Sequence, residues 1–93
     1  MDEQAGSVVL RQFGVRLAKL RKKLKWSQEE LALKSGVARS YLSGVERGKR
    51  NIALENICRL AETLGVRPYL LLDFNGELDG TAPSTAHQVD RAL

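Results

Sequence analysis

The sequence predicts an all-α fold of five helices, and three observations indicate it. Apolar residues recur at spacings of three and four, and no segment alternates apolar and polar residues as a half-buried strand does. Helix start and stop signals divide these apolar stripes into short segments. A length of 93 residues allows one domain with a single small core. We expect this domain at 8–74, between an N-terminal extension at 1–7 and a flexible tail at 75–93.

The first two helices are predicted from an apolar stripe and from a cap. The stripe of helix 1, at about 8–24, consists of Val9, Phe13, Leu17, Leu20 and Leu24. Its opposite, basic face is expected to carry Arg11, Arg16, Lys19, Arg21, Lys22 and Lys23. Helix 2, at about 28–35, starts at a capping box because Glu30 stands three residues after Ser27, and Gly36 ends it.

Three shorter helices complete the prediction. Helix 3 is expected at about 38–47, with Gly44 in its interior allowing close approach of a binding partner's backbone or another helix. Helix 4, at about 54–64, has a stripe of Leu54, Ile57, Cys58, Ala61 and Leu64. This position predicts that Cys58 is buried as a small hydrophobic residue. Helix 5, at about 68–73, begins with Pro68, which fits the first helical position.

The segment from Gln28 to Arg47 has the pattern of a helix-turn-helix. Such a motif needs a small residue where its helices cross, a glycine at the turn and apolar positions that lock the interhelical angle. The sequence meets all six positions, with Leu31, Ala32, Gly36, Val37, Leu42 and Val45. A generic helical hairpin rarely meets them together, so the pattern is specific.

Positive charge is concentrated in the same part of the chain. Residues 11–50 carry twelve Lys and Arg against three Glu, whereas residues 51–93 carry three Arg against six acids. A basic segment in an otherwise mildly acidic chain is typical of a protein that docks a polyanion on one face.

Several other classes of protein are not indicated. The sequence contains no nucleophile–base pair, glycine-rich phosphate loop or paired carboxylates, so we expect no enzyme activity and no cofactor. One cysteine excludes an intrachain disulfide and a multi-cysteine metal site. No apolar run approaches the roughly 20 residues of a membrane span, and no signal peptide is recognisable. A soluble cytoplasmic protein without a small-molecule ligand is therefore expected.

Three stretches resemble the phage repressor/Cro type (Xre-like) of helix-turn-helix protein, and the likeness extends from about Phe13 to Leu72. They are Trp26–Ala32, Gly36–Val37 and Arg39–Asn51. The last stretch is especially similar to the controller proteins of restriction–modification systems. The resemblance implies a five-helix, lambda-repressor-like domain with helix 3 in the major groove. The sequence departs from the usual family pattern at the cap positions Ala38, Ala53 and Arg67.

The resemblance also implies roles for individual residues. Arg39 and Ser40 would contact base edges, because Arg can pair bidentately with guanine and Ser can bond to either member of a base pair. Tyr41 would contact a thymine methyl group or a phosphate. The positions implied for contacts to the DNA backbone are Gln28, Ser43, Lys49, Arg50 and Asn51. An ion pair between Arg21 and Glu46 is implied as a structural element.

One helix-turn-helix reads few base pairs, so we expect a homodimer on a pseudo-palindromic operator in double-stranded DNA. The predicted dimer interface is the least basic surface, on helices 4 and 5, and comprises Ile52, Leu54, Val66, Tyr69, Leu70 and Phe74. A restriction–modification controller, a phage-type repressor and an antitoxin all fit, in a bacterial or phage setting where the protein joins the nucleoid through its operator. A protein-interaction module that kept the fold without binding DNA is the alternative from another class.

Overall fold

The computed structural model describes residues 3–75, with side chains from residue 8 onward. It contains five α-helices and, in that range, no strand. The helices are α1 (Glu3–Lys23), α2 (Gln28–Ser35), α3 (Arg39–Glu46), α4 (Leu54–Leu64) and α5 (Pro68–Leu72). The all-α prediction is confirmed, and the bounds of α2 and α4 agree with it. The predicted tail lies outside the described residues, apart from position 75.

The longest helix, α1, supports the others. It packs against α3 and α5, while α2 contacts α3 and α4, and α4 contacts α5. The buried apolar side chains between them are Phe13, Leu17, Leu20, Leu31, Ala32, Val37, Leu42, Val45, Ile57, Leu60, Ala61, Leu64, Leu70 and Leu71. Helices of eight residues, such as α2 and α3, are not stable alone, so this shared core holds them. None of the helices between residues 3 and 75 is long and apolar enough to cross a membrane.

The stripe of α1 is buried only in its central part. The helix begins at Glu3 rather than near residue 8, since residues such as Gln4 and Ala5 favour a helix even though they precede the stripe. Val9 and Leu24 are exposed because they lie one turn outside the buried residues at either end. Leu24 also follows the last residue of the helix.

The buried face of α4 is rotated from the predicted one. Ile57, Leu60 and Leu64 point into the core, whereas Leu54 is 72% exposed. Cys58 is exposed as well, so its predicted burial was wrong. The reason is geometric: Cys58 lies one turn after Leu54, at the edge of the stripe centred on Ile57, Leu60 and Leu64.

Two further residues of α1 have surroundings that the sequence analysis did not predict. Arg16 was placed on the solvent face, but it is buried, and its Nε donates to the backbone oxygen of Leu70 at 2.7 Å. A usable signal existed, since Arg16 follows Phe13 by three positions and precedes Leu20 by four. Gly14 received no role, yet a Cβ there would collide with the backbone oxygens of Val45 and Glu46. The missing side chain lets α1 and the end of α3 touch at backbone distance.

Candidate nucleic-acid interface

The α2–turn–α3 unit has the geometry that its sequence pattern predicts. Ser27 and Glu30 form the capping box: the Glu30 N–H donates to the Ser27 hydroxyl at 3.0 Å, and the Glu30 carboxylate accepts from the Ser27 N–H at 2.8 Å. Gly36 ends α2 at a φ of +78°, a left-handed conformation that favours glycine. The five apolar positions of the motif are all buried: Leu31, Ala32, Val37, Leu42 and Val45. These contacts set the angle between α2 and α3.

Glu46, the last residue of α3, joins three elements through its carboxylate. Arg21, in the last turn of α1, donates from Nε to Oε2 and from Nη2 to Oε1, both at 2.8 Å. Its Nη1 donates to the backbone oxygen of Trp26 at 2.8 Å. The Nε2 of Gln28 donates to Glu46 Oε1, also at 2.8 Å. The arginine–glutamate pair implied by the resemblance is therefore present.

This ion pair is shielded from water, since the side chains of Arg21 and Glu46 are 9% and 5% exposed. The hydrogen bonds to Glu46 raise the pKa of Arg21, and they outweigh burial, which acts in the opposite direction. Two parallel charge-assisted hydrogen bonds give a bidentate pair a defined orientation. The pair therefore fixes the C-terminal end of α3 against the last turn of α1.

Arg39 and Ser40 lie exposed on the first turn of α3. Ala38 precedes them and makes no side-chain cap, and the first turn contains no acidic residue. Ala53 and Arg67 likewise make no side-chain cap for their helices. A helix N-terminus carries partial positive charge and unpaired N–H groups. The start of α3 is therefore suited to a partner that carries negative charge or accepts hydrogen bonds.

Gln28 and Tyr41 differ from these two residues, because their polar atoms are engaged within the protein. Both side chains are half-buried. The amide of Gln28 is bonded to Glu46, so a phosphate at this position would meet mainly the backbone N–H groups that begin α2. The hydroxyl of Tyr41 accepts from the backbone N–H of Ala53 at 3.3 Å and donates to the backbone oxygen of Asn51 at 3.4 Å. DNA contacts by these side chains stay predictions.

The basic turn after α3 packs against that helix. Lys49, Arg50 and Asn51 are exposed, and the backbone N–H of Lys49 donates to the carbonyl oxygen of Gly44 at 2.9 Å. Ser43 is half-buried in α3. The guanidinium carbon of Arg50 lies 5.2 Å from the centre of the Tyr41 ring. The structure thus brings the turn beside α3, and the DNA contacts of these residues stay predictions.

The predicted dimer residues divide into exposed and buried ones. Leu54 is 72% exposed and Tyr69 is 53% exposed, while Ile52, Val66 and Phe74 are half-buried. Leu70 is only 3% exposed, so its prediction as a surface residue was wrong. It turns inward because α5 presents it to the core beside Leu71. Its neighbour Leu72, which was not predicted, is 49% exposed.

Comparison with known families decides the assignment, since the helix-turn-helix family HTH_3 matches residues 17–71, more than half of the chain. The chain belongs to the HTH_3 helix-turn-helix family. The resemblance seen in its sequence is therefore confirmed. This membership assigns the coarse function, that of a DNA-binding transcriptional regulator.

Three relatives show where within the family the similarity lies. Control protein C.BamHI of Bacillus amyloliquefaciens is 44% identical over 63 residues, which is 67% of this chain and 78% of the relative. A hypothetical transcription factor of Neisseria meningitidis is 49% identical over 71 residues, or 76% of this chain and 64% of the relative. The crystal structure of the restriction-modification controller C.AhdI from Aeromonas hydrophila has 52% identity and a TM-score of 0.66. It matches 67% of this chain and 94% of its own.

Proposed function

We propose that this regulator binds a pseudo-palindromic operator as a homodimer and serves as a controller protein of a restriction–modification system. The observation that carries the proposal is the exposure of Arg39 and Ser40 on the first turn of a helix whose position is fixed by the Arg21–Glu46 pair. The similarity of this chain to the controller proteins C.BamHI and C.AhdI supports the controller role.

The proposed contacts follow from this geometry. With α3 in the major groove, Arg39 donates two hydrogen bonds to a guanine and Ser40 contacts the neighbouring base pair. The turn after α3 lies beside the groove, where its exposed cations meet phosphates that set the register of the protein on DNA. The backbone contacts proposed are those of Gln28, Ser43, Lys49, Arg50 and Asn51, with Tyr41 at the groove edge.

Dimerisation is proposed through α4 and α5. Leu54 and Tyr69 are exposed apolar residues in the part of the chain that carries more acids than bases. Burying them against a second copy keeps the basic segment free for DNA. A two-fold axis there would place two copies of α3 about 34 Å apart, one turn of B-DNA.

The first experiment measures binding to the DNA upstream of the chain's own gene. A duplex of this region and a shuffled duplex of equal length and composition are compared by fluorescence anisotropy at one salt concentration. We expect at least about 1,000-fold tighter binding to the upstream duplex. Selection from a random pool should then return two inverted half-sites about 10 base pairs apart, centre to centre. Equal affinity for both duplexes would overturn sequence-specific regulation, and absence of binding to either duplex would favour a protein-interaction module.

A second experiment separates the kinds of regulator. Footprinting on the native locus should show protection at the chain's own promoter and at the promoter of an adjacent endonuclease gene. Protection confined to a phage immunity region, or next to a toxin gene, would contradict the controller role while leaving operator binding intact.

A further inference from the structure

Gly44, in the interior of α3, is covered by the side chain of Arg50. The glycine is buried, and an ideal Cβ built on it would lie 2.6 Å from Cγ of Arg50 and 3.7 Å from its Cδ. The atom at 2.6 Å belongs to the stem of the arginine, so it cannot move aside without turning the whole side chain. The sequence predicts a partner's backbone, such as that of DNA, or another helix as the neighbour of Gly44. Within the described part of this chain, the nearest side chain is that of Arg50.

Tyr41 supplies a second contact to the same arginine. The guanidinium carbon of Arg50 is 5.2 Å from the ring centre, within the range of a cation–π interaction. The tyrosine is itself anchored, because its hydroxyl also accepts from Nδ2 of Asn56 at 3.3 Å and from the N–H of Ala53. Arg50 therefore has its stem against α3 and its head on an anchored ring.

This arrangement matters because a free arginine is highly flexible. An unrestrained Arg side chain loses rotamer entropy when it binds an anion, and prior packing reduces that loss. Stacking occupies the face of the guanidinium, whereas its N–H donors lie in the plane and stay available. Arg50 remains exposed despite its two contacts. It is thus restrained without being closed off from a ligand.

We propose that Gly44 is a positioning residue: its missing side chain lets Arg50 lie across α3 as a pre-arranged phosphate contact. The inference rests on the proposed DNA binding. It also accounts for a glycine in a helix interior, where alanine would favour the helix by about 1 kcal/mol. The glycine weakens α3 but makes room for the arginine.

The test is a cycle of Gly44→Ala, Arg50→Ala and the double variant. Gly44→Ala should lower operator affinity on the order of tenfold and reduce the slope of log K against log salt by about 0.9, the share of one phosphate contact. Its thermal midpoint should be unchanged or higher, because alanine favours the helix. Arg50→Ala should show the same reduced affinity and the same reduced slope as Gly44→Ala. Adding Gly44→Ala to Arg50→Ala should change neither quantity further, because the new Cβ then makes only an ordinary contact with Cβ of residue 50, at 3.6 Å.

A measurement without DNA tests the packing itself. The Nε–Hε resonance of Arg50 should show restricted motion in the wild-type protein and release in Gly44→Ala. Unchanged affinity and slope in Gly44→Ala, with the wild type binding its operator, would overturn this inference alone, as would additive effects in the double variant. Absence of wild-type binding to any DNA would overturn the proposed function, and the role of Arg50 with it.

Discussion

Single side chains of the helix-turn-helix differ in how much of their bonding capacity the protein itself uses. The amide of Gln28 is hydrogen-bonded to Glu46, and the hydroxyl of Tyr41 is hydrogen-bonded to the segment that leads to α4. Arg39 and Ser40 are exposed on the first turn of α3. The proposed base reading is therefore assigned to Arg39 and Ser40, whereas Gln28 and Tyr41 hold neighbouring elements together.

Replacing Arg39 by alanine tests base reading at this scale. Arg39→Ala should weaken operator binding by about 1–3 kcal/mol, because a bidentate contact to guanine is lost, and should leave binding to shuffled DNA nearly unchanged. Anisotropy titrations with both duplexes measure the two affinities. Arg67→Ala, which removes an equal charge from an exposed position before α5, serves as the control. Equal losses on both duplexes would identify Arg39 as a phosphate contact.

At the scale of elements, α3 depends on its neighbours for its position. It has eight residues and no side-chain cap, so little of its stability is intrinsic. The close approach at Gly14 and the Arg21–Glu46 pair attach it to α1, and Gln28 attaches it to α2. The position of α3 is thus set by the ion pair together with the apolar core.

Glu46→Gln keeps the shape of the side chain but removes its charge. We expect the free energy of unfolding to fall by about 3–5 kcal/mol, because Arg21 is left buried without a counter-charge. Urea denaturation measures the loss. The same substitution at the exposed Glu62 of α4 should change stability by less than about 0.5 kcal/mol. A loss below 1 kcal/mol in Glu46→Gln would show that the core alone positions α3.

The raised pKa of Arg21 has a consequence for pH dependence. A raised folded-state pKa contributes stability that is fully present below the unfolded-state pKa and is lost only as pH rises through the folded-state value. Since arginine already titrates above about 12, the arginine side of the pair contributes fully throughout the physiological range. A loss of stability between pH 7 and 10 that disappears in Arg21→Met would contradict this.

At the scale of the molecule, positive charge is concentrated in one part of the chain, whereas exposed apolar side chains occur both inside and outside that part. The basic segment 11–50 contains α2, α3 and most of α1, whereas Leu54, Tyr69 and Leu72 are exposed on α4 and α5. In the proposed dimer, the exposed apolar residues of α4 and α5 are buried against a second copy, and the basic segment stays free for DNA. This arrangement is the reason for proposing an isologous dimer.

Leu54→Glu tests the dimer. Leu54 is the first residue of α4, where an acid suits the helix dipole, so the fold should be retained. Because a symmetric dimer contains Leu54 twice, the substitution removes two buried leucines from the interface. The dissociation constant of the dimer should therefore rise at least about 100-fold. Sedimentation equilibrium measures it.

The matched control is Leu33→Glu, which makes the same change at a leucine of α2 that is 83% exposed. An equal shift in both variants, or none in Leu54→Glu, would place the interface elsewhere. The exposed Cys58, one turn after Leu54, offers a labelling site for the same question. Its reaction with a bulky thiol reagent should be slower at high protein concentration if α4 is covered.

The helices and the motif could be predicted because their signals are local. The capping box at Ser27, the left-handed glycine at position 36 and the apolar spacing each act within a few residues. The same spacing could not rank neighbouring positions on a helix face. For that reason Cys58 was expected inside and Leu70 outside, and both were wrong.

The sequence by itself determined an all-α helix-turn-helix protein with a basic segment at 11–50, because periodicity, caps and charge depend on residues that are close together in the chain. Only the tertiary structure decided which polar side chains are free to act. Arg16 reaches Leu70 across 54 positions, and Arg21 reaches Glu46 across 25. The packing of Arg50 on Gly44 and Tyr41 likewise depends on how the turn folds back on α3. Such contacts depend on how helices meet in space, which no local pattern specifies.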